Sequence, residues 1–408
     1  MSSESPARAP HRITTLAVVS FLAFGALLVL FGANSTEIIA RLELDYADLG
    51  LLGSLLSLGL GVGIVAAGPI SDRLPRRPLY VAACLVVVGA TTTLGEWTDY
   101  SVLLAHTAAI GFGAGFYETV LNALIVEEFG ERAPKRLIFI HSAATLAASA
   151  TPITFELVRE LSPLAWYDTF RVVGLLHAGL ILTAGFVPMR PSPRSKATQA
   201  AKIRSTASDA LARSDSSSLR GPDDRLALAA VCTATFAYVG VESALTLFVA
   251  DHAVSDLGLD AARAARTISA FWGGLLVGRL AIGLAPRPAG AGTTALLAAL
   301  GALLLALFGF GFIGTPELAM TGVGFCLGGV FPIMIGFAGI ALPRSAGTAV
   351  GLAGGLGSLG GFVVPWLTGR IATDGAGGSL SLALASLAGW LSVLVLAALF
   401  VRRRHGAS

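Results

Sequence analysis

Long stretches without a charged residue restrict the fold of this sequence more than any other feature. Ten stretches of at least 18 residues contain no Asp, Glu, Lys or Arg, and two more apolar stretches are each interrupted once, by Glu242 and by Arg279. A helix of about 20 apolar residues crosses a bilayer. Lipid offers no partner to an unpaired backbone group, and the stretches lack the alternation of barrel strands, so each is predicted to be a helix. The twelve predicted spans are 13–36, 49–71, 78–95, 100–117, 137–155, 172–189, 226–250, 267–286, 288–316, 318–343, 345–369 and 375–401.

The composition excludes several other classes of protein. Only 13% of the 408 residues are charged, against about 25% in soluble globular domains, and the mean hydropathy is +0.76. Such a chain has too few polar residues to cover a surface that faces water. This excludes a soluble enzyme, a disordered scaffold and a nucleic-acid-binding module.

Nucleotide and metal chemistry is not expected either. No Lys follows a Gly, so the sequence has no GK[ST] phosphate-binding loop, and it has no HExxH motif. Cys84, Cys232 and Cys326 lie far apart within apolar stretches, which gives neither a disulfide framework nor the spacing of metal ligands. We therefore expect no enzyme activity, no metal and no cofactor. Energy for any transport would come from a gradient, such as a proton gradient, or from a partner.

The distribution of Lys and Arg predicts the orientation of the chain. If the N-terminus lies inside, the cytoplasmic segments hold 22 of these residues and the outer loops hold 5. Positive residues accumulate on the cytoplasmic side of membrane proteins. Both termini are therefore expected in the cytoplasm, in a multi-pass protein of the plasma membrane or bacterial inner membrane.

A polar segment divides the chain into two halves of nearly equal length. Residues 189–224 are rich in Pro, Ser, Arg and Lys and have no apolar periodicity, which is typical of a solvated linker held near anionic headgroups. Two six-helix halves predict a transporter with its substrate site between them, near the middle of the membrane. Channels and lipid-handling enzymes also have many spans, but they do not require equal halves. The predicted segments are a cytoplasmic tail 1–12, a first bundle 13–188, a linker 189–224, a second bundle 225–401 and a cytoplasmic tail 402–408.

Many glycines lie within the predicted spans in pairs four residues apart. Gly59 and Gly63, Gly111 and Gly115 are such pairs. Small residues at this spacing let helix backbones approach closely. The run around Gly111 superficially suggests a dinucleotide-binding loop, but no strand precedes it, so close helix packing is the interpretation.

The loop between the second and third spans carries a motif. It resembles the signature G-x-x-x-D-R-x-G-R-R of the major facilitator superfamily, with Pro75 where that pattern usually has Gly. The matching residues are Gly68, Asp72, Arg73, Arg76 and Arg77. We expect Gly68 to allow close packing and the basic residues to hold the loop at the inner interface. Asp72 could face the N-terminus of the eleventh helix, which Ser345 would cap, and this contact would gate the cytoplasmic side.

Three glutamates within or near the spans are candidates for proton coupling: Glu37, Glu118 and Glu242. A charged side chain at the centre of a membrane helix costs about 2.5–3.5 kcal/mol, so it is a functional candidate by default. A carboxyl group can stay neutral in such surroundings and ionise when water enters. Glu118 and Asn122 are four residues apart, and Asn34 and Glu37 are three apart, so each pair shares a helix face.

These residues give the sequence a resemblance to the fucose:proton symporter family within the facilitators. The fourth span has Glu118-Thr-x-x-Asn122 after a glycine-rich stretch, as in that family. The first span has Asn34-x-x-Glu37, where the family has Asn-x-x-Asp, and the seventh has Tyr238-x-Gly-x-Glu242. Further similarities are the run from His141 to Pro152 in the fifth span and the pair Phe331-Pro332 in the tenth.

The resemblance implies proton-coupled uptake of a monosaccharide. Glu37 and Glu118 would then be the protonatable carboxylates, and Asn34 and Asn122 would contact or support the sugar. From the residues alone, a sugar needs forked donors and acceptors plus an apolar ring face, and Trp272, Phe116 and Tyr117 could provide stacking. The predicted substrate-binding residues are Asn34, Asn122, His141, Tyr117, Phe116, Tyr238 and Trp272.

Some residues depart from the pattern of that family. Glu37 replaces an Asp, Ala123 replaces a Pro, and the fifth span is poor in Asn and Gln. The small number of polar residues favours a smaller or more apolar substrate than a sugar. Export of a small, partly apolar compound by proton antiport is the alternative, because the same carboxylates could serve it. A second alternative is a non-transporting sensor on the same scaffold. The expected partners are a small-molecule substrate, protons and the lipid bilayer, with the protein as a monomer and without nucleic acid.

Overall fold

A computed structural model of the chain describes residues 8–189, 221–286, 289–341, 346–374 and 379–405. In these ranges the chain is all-helical and contains no strand. The first half contains α1 (Arg8–Ala33), α2 (Ser35–Leu42), α3 (Tyr46–Arg73), α4 (Arg76–Thr92), α5 (Tyr100–Phe129), the 3₁₀ turn Gly130–Arg132, α6 (Ala133–Leu161) and α7 (Trp166–Ala184). The second half contains α8 (Gly221–Ser255), α9 (Ala261–Gly283), α10 (Ala291–Gly309), α11 (Pro316–Leu327), α12 (Val330–Ala341), α13 (Ala346–Asp374) and α14 (Leu380–His405).

Nine helical segments of the described chain are long and apolar enough to cross a membrane, with α11 and α12 together forming one of them. The other long helices are α4, which has 17 residues, and α7 and α9, which carry charged residues. The chain is therefore a multi-pass membrane protein. The count of twelve spans, the segment boundaries and the linker remain predictions, and residues 190–220 of that linker lie outside the described residues.

Two predicted spans are interrupted in the structure. The first ends at Ala33, because Asn34 leaves the helical conformation and α2 follows as a separate short helix. Glu37 therefore lies in α2 and not in the first span. The predicted span 318–343 is divided into α11 and α12 at Gly328 and Gly329.

The bundle has two ends, which we name by their residues. The terminal end carries Arg8 and His405, and the distal end carries Tyr46 and Tyr100. Aspartates cap helices at the distal end: Asp45 accepts a hydrogen bond from the backbone N–H of Asp48, and Asp99 accepts one from Val102. The Val102 N–H and the Ser101 hydroxyl also lower the pKa of the exposed Asp99 carboxyl.

The second half repeats the helix pairing of the first. In the first half, α1 packs on α6, α3 on α5, and α4 on α7. In the second half, α8 packs on α13, α9 on α11, and α10 on α14. The halves meet along two equivalent pairs, α3 with α13 and α6 with α9. The helices of the two halves therefore pair in the same order.

Glycines allow the close crossings, as expected from their spacing. At the crossing of α3 and α5, a Cβ added to Gly59 or Gly63 would overlap the backbone carbonyls of Ala108 and Phe112. Gly111 and Gly115 face the α3 backbone in the same way. Neighbouring backbones thus touch where these residues lack a side chain.

Contacts between the halves close the distal end. The Thr36 hydroxyl donates a hydrogen bond to Asp251 Oδ1, at 3.1 Å, and the Ala47 N–H donates one to Thr373 Oγ1, at 3.0 Å. Nearby, Gly32 lies so close to α8 that an added Cβ would overlap the Thr246 carbonyl. In this conformation the two halves are thus in contact at the distal end.

Candidate functional site

Glu118 lies deep in the protein on the helix that packs most closely against α3. It follows Tyr100 by 18 residues, about 27 Å along the α5 axis at 1.5 Å per residue. Protein surrounds the carboxyl group, yet the side chain keeps part of its accessible surface. Glu118 is therefore set deep within the bundle while part of its side chain stays accessible.

Asn122 is the neighbour of Glu118, one helical turn further along α5. Its amide lies within electrostatic reach of the Glu118 carboxyl group, as the spacing of four residues predicts. The Asn122 Oδ1 atom is buried without a hydrogen-bond partner in the described structure. Among the described residues, Glu118 forms no ion pair within 4.0 Å. This pair therefore combines an uncompensated carboxyl group with an acceptor that is open to a ligand.

Arg279 of α9 reaches across to the first half. Its Nη1 donates a hydrogen bond to Thr145 Oγ1 of α6, at 2.9 Å, and its Nε donates one to the Gly328 carbonyl, at 3.3 Å. That carbonyl is available because Pro332, four residues later, has no N–H to bond it. Arg279 therefore does not snorkel to the membrane surface, as its place near the end of a span suggests, but joins α6, α9 and the break between α11 and α12.

Three predicted site residues surround the Arg279 guanidinium group. Glu242 and Tyr238 of α8 lie within electrostatic reach of it, and so does His141 of α6. The Tyr238 ring packs on Phe331, with ring centroids 5.7 Å apart. Tyr238, Glu242, His141 and Arg279 thus form one group, which we call the arginine cluster.

Trp272 lies on the Arg279 face of α9, because seven residues make nearly two helical turns. Its side chain is 5% exposed, and its Nε1 has no hydrogen-bond partner in the described structure. The Tyr238 hydroxyl, in a residue that is 2% exposed, is likewise buried without a well-formed hydrogen bond. The interior therefore contains polar atoms that the protein itself leaves unpaired.

Asn34 and Glu37 form a separate group at the distal end. Arg159 of α6 bonds the Asn34 side chain and lies 3.6 Å from a Glu37 oxygen. Glu37 also accepts a hydrogen bond from the Trp166 N–H, at 2.9 Å, and its side chain is 42% exposed. Asn34 donates to Thr169 Oγ1, at 3.0 Å. The structure thus does not bring Glu37 and Glu118 together.

Tyr117 and Phe116 pack between helices. The Tyr117 side chain is completely buried, and its hydroxyl is 3.1 Å from His177 Nε2. Phe116 is 7% exposed and packs against Phe112. This packing leaves the Tyr117 ring no free face, so the stacking role suggested for it does not fit its position.

The motif at the terminal end ties the first half together. Arg76 forms an ion pair with Glu127 of α5, and Arg77 donates a hydrogen bond to the Val187 carbonyl, at 2.7 Å. An added Cβ at Gly68 would meet no atom of the described residues within 4 Å. Residues 342–345 lie outside those ranges, so close packing at Gly68 stays a prediction. Arg73 is exposed. The Asp72 side chain and Ser345 lie outside the described residues, so the gating contact stays a prediction.

Some of these contacts cannot be predicted from the sequence. Arg279 is a single charge in an apolar span, but its place at the inner end of that span predicts snorkelling and not a contact between helices. Thr145 and Arg159 carry no sequence signal for their contacts, because their roles depend on which helices meet. Asp251, near the end of α8, reads as an ordinary interface residue until Thr36 is found beside it.

Comparisons with known proteins agree with this architecture. The sequence profile of the Major Facilitator Superfamily matches residues 16–365. A protein TsgA homolog from Erwinia tasmaniensis is 21% identical over 270 residues, which is 65% of this chain and 63% of that protein. Multidrug resistance protein MdtL from Salmonella typhimurium is 24% identical over 174 residues, which is 41% of this chain and 44% of that protein. The chain therefore matches less than two thirds of the length of either relative.

A solved structure shows the same fold over nearly the whole chain. The crystal structure of a D-xylose-proton symporter superposes with a TM-score of 0.75 and 16% sequence identity. The superposition covers 96% of this chain and 97% of that chain.

Proposed function

Since this chain belongs to the Major Facilitator Superfamily, we propose that it moves a sugar or a similar small polar solute by alternating access, in symport with protons. It is a membrane transporter and not an enzyme. The solute would bind between the two six-helix bundles, 13–188 and 225–401, where Asn122 and the arginine cluster face the interior. The proposed location is the cell membrane, with both termini in the cytoplasm.

The observation that carries the proposal is the position of Glu118. A buried carboxyl group without a nearby cation has its neutral form favoured, and water entry favours ionisation. Opening of one side of the bundle would therefore change the proton occupancy of Glu118. Solute binding and proton binding would be coupled because both would depend on the same internal space.

The closed distal end supports alternating access. The seal formed by Thr36, Asp251 and the crossing at Gly32 would have to open before solute could enter from that side. With the predicted orientation, the described conformation would be closed to the outside.

Replacement of Glu118 by Gln tests the proton role. In proteoliposomes, we expect Glu118→Gln to abolish accumulation driven by a pH gradient while solute exchange at equal pH continues, because exchange needs no net proton movement. Glu128→Gln, on the same helix near the terminal end, is the matched control and should accumulate solute like the wild type. Unchanged accumulation by the Glu118 variant would remove the proton role from this residue.

Export by proton antiport is the second candidate, and the similarity to multidrug resistance protein MdtL favours it. The sign of coupling separates the two. A symporter accumulates solute on the side to which protons flow, whereas an antiporter accumulates it on the opposite side. Reversal of the imposed pH gradient in the same vesicles decides between them.

A further inference from the structure

Arg279 is a cation within the protein whose charge has no close partner. In the described structure no carboxylate lies within 4.0 Å of it, although Glu242 lies farther off within electrostatic reach. Its two hydrogen bonds, to Thr145 and to the Gly328 carbonyl, use neutral acceptors. A guanidinium group has five N–H donors, so these two bonds leave donors available. An anion would stabilise a partly buried charge of this kind.

The polar atoms nearby share one chemical property. Trp272 Nε1 can only donate a hydrogen bond, and the Tyr238 hydroxyl can donate one. Both belong to buried residues, exposed by 5% and 2%. Trp272 Nε1 has no hydrogen-bond partner in the described structure, and the Tyr238 hydroxyl, which lies close to Glu242 and Arg279, has no well-formed one. Donors of this kind, on the two helices that hold Glu242 and Arg279, suit a ligand rich in acceptors.

Three observations thus agree: a guanidinium group whose hydrogen bonds use only neutral acceptors, buried donors on α8 and α9 without well-formed hydrogen bonds, and a location at the seam of the halves. We propose that the arginine cluster binds the carboxylate of an anionic solute, with Arg279 as its anchor and with Tyr238 and Trp272 as further donors. This inference deepens the proposed transport function and rests on it.

The hydrogen-bond donors of the cluster favour an anion over a cation, although Arg279 and Glu242 carry opposite formal charges. A cationic solute would be attracted by Glu242 but repelled by Arg279, and it would leave Trp272 and Tyr238 without acceptors. A neutral sugar would satisfy the donors but not the charge of Arg279. Of these solute classes, a carboxylate satisfies both requirements, because planar carboxylates accept paired hydrogen bonds from guanidinium groups.

Matched pairs of compounds test the inference with the purified full-length protein. Binding is measured calorimetrically for D-glucuronate against D-glucose, D-galacturonate against D-galactose, D-gluconate against sorbitol, and lactate against propane-1,2-diol. We expect at least one acid to bind roughly tenfold or more tightly than its neutral counterpart, as charge-assisted hydrogen bonds are stronger than neutral ones.

Variants locate the effect at the cluster. Arg279→Gln should weaken binding of that acid by roughly tenfold or more, and Arg279→Lys should restore only part of it, because Lys lacks the paired donors. Arg266→Gln, at an exposed position of the same helix, should bind like the wild type. If Arg279→Gln does not fold, Trp272→Phe keeps an aromatic ring and removes only the N–H donor, and it should also weaken acid binding.

Three results would overturn the inference: no acid binds, neutral compounds bind as well as acids, or variants of Arg279 and Trp272 bind acids like the wild type. The proposed function fails separately. Proton-driven movement of a neutral solute would leave that function standing without the anion site. Arg279-dependent binding of an acid without any proton-driven movement would support the anion site and contradict the proposed function.

Discussion

At the scale of residues, polar side chains in this bundle follow two patterns. Some pair with each other between helices, as the Tyr117 hydroxyl does with His177 and as Ser20 does with Tyr80, at 2.7 Å. Others, such as Trp272 Nε1 and Asn122 Oδ1, are buried without a hydrogen-bond partner in the described structure. The first pattern stabilises the fold. Trp272 and Asn122 show the second pattern at the candidate site, whereas Arg159 Nε and His252 Nε2 show it elsewhere.

Loss of the Tyr117 hydroxyl separates these two roles. Tyr117→Phe should lower the free energy of unfolding by about 1–3 kcal/mol, because His177 Nε2 would stay buried without this partner. Unfolding in detergent, followed by denaturant titration, measures the change. Tyr167→Phe removes a hydroxyl that bonds Glu96 at an exposed position and should cost less than about 0.5 kcal/mol. Equal effects of the two variants would contradict the structural role of Tyr117.

The sequence predicts part of the site at this scale. The neighbourhood of Glu118 and Asn122 follows from helix periodicity alone. The environment of Arg279 does not, because it depends on a carbonyl freed by Pro332 and on Thr145 of another helix. The different depths of Glu37 and Glu118 follow from the predicted spans, since Glu37 lies at the outer end of the first and Glu118 at the inner end of the fourth; the bonds that turn the chain at Asn34 do not.

At the scale of elements, apolar stretches predict where helices run but not where they break. The charge-free stretches agree with the positions of most helices. The breaks at Asn34 and at Gly328 lie inside such stretches, because a polar side chain or a glycine pair can interrupt a helix without changing the hydropathy. Hydropathy also does not indicate which helices pack against each other.

The crossing of α1 and α8 at Gly32 offers a test at this scale. Gly32→Ala would press against the Thr246 carbonyl, so it should oppose closure of the distal end and shift the population toward a distal-open state. Double electron–electron resonance measures the distance between spin labels at the exposed residues Arg41 and Leu257. This distance should be longer in Gly32→Ala than in the unsubstituted protein. Gly89→Ala, where an added Cβ meets no described atom within 4 Å, is the control. An unchanged distance distribution for Gly32→Ala would show that this crossing does not control closure.

At the scale of the whole molecule, two bundles with matching helix pairs meet along two equivalent seams. Such an arrangement can rock about the seams while each bundle keeps its internal contacts. The hydrogen bond between Thr36 and Asp251 joins the bundles at the distal end, where this motion would have to separate them.

A covalent bridge at this place tests the motion. In a protein with Thr36→Cys and Asp251→Cys, oxidation or a short bifunctional thiol reagent should stop transport, and reductant should restore it after oxidation. The native cysteines Cys84, Cys232 and Cys326 are buried, and each single variant serves as a control. Continued transport by the bridged protein would mean that the distal end does not need to open there.

The glycine crossings also bear on how such a protein can evolve a new cargo. A side chain at Gly59, Gly63, Gly111 or Gly115 would clash with the main chain of the neighbouring helix. A second substitution cannot relieve such a clash, because it changes only side chains. Laboratory evolution should therefore spare these four codons and diversify the side chains of the arginine cluster instead.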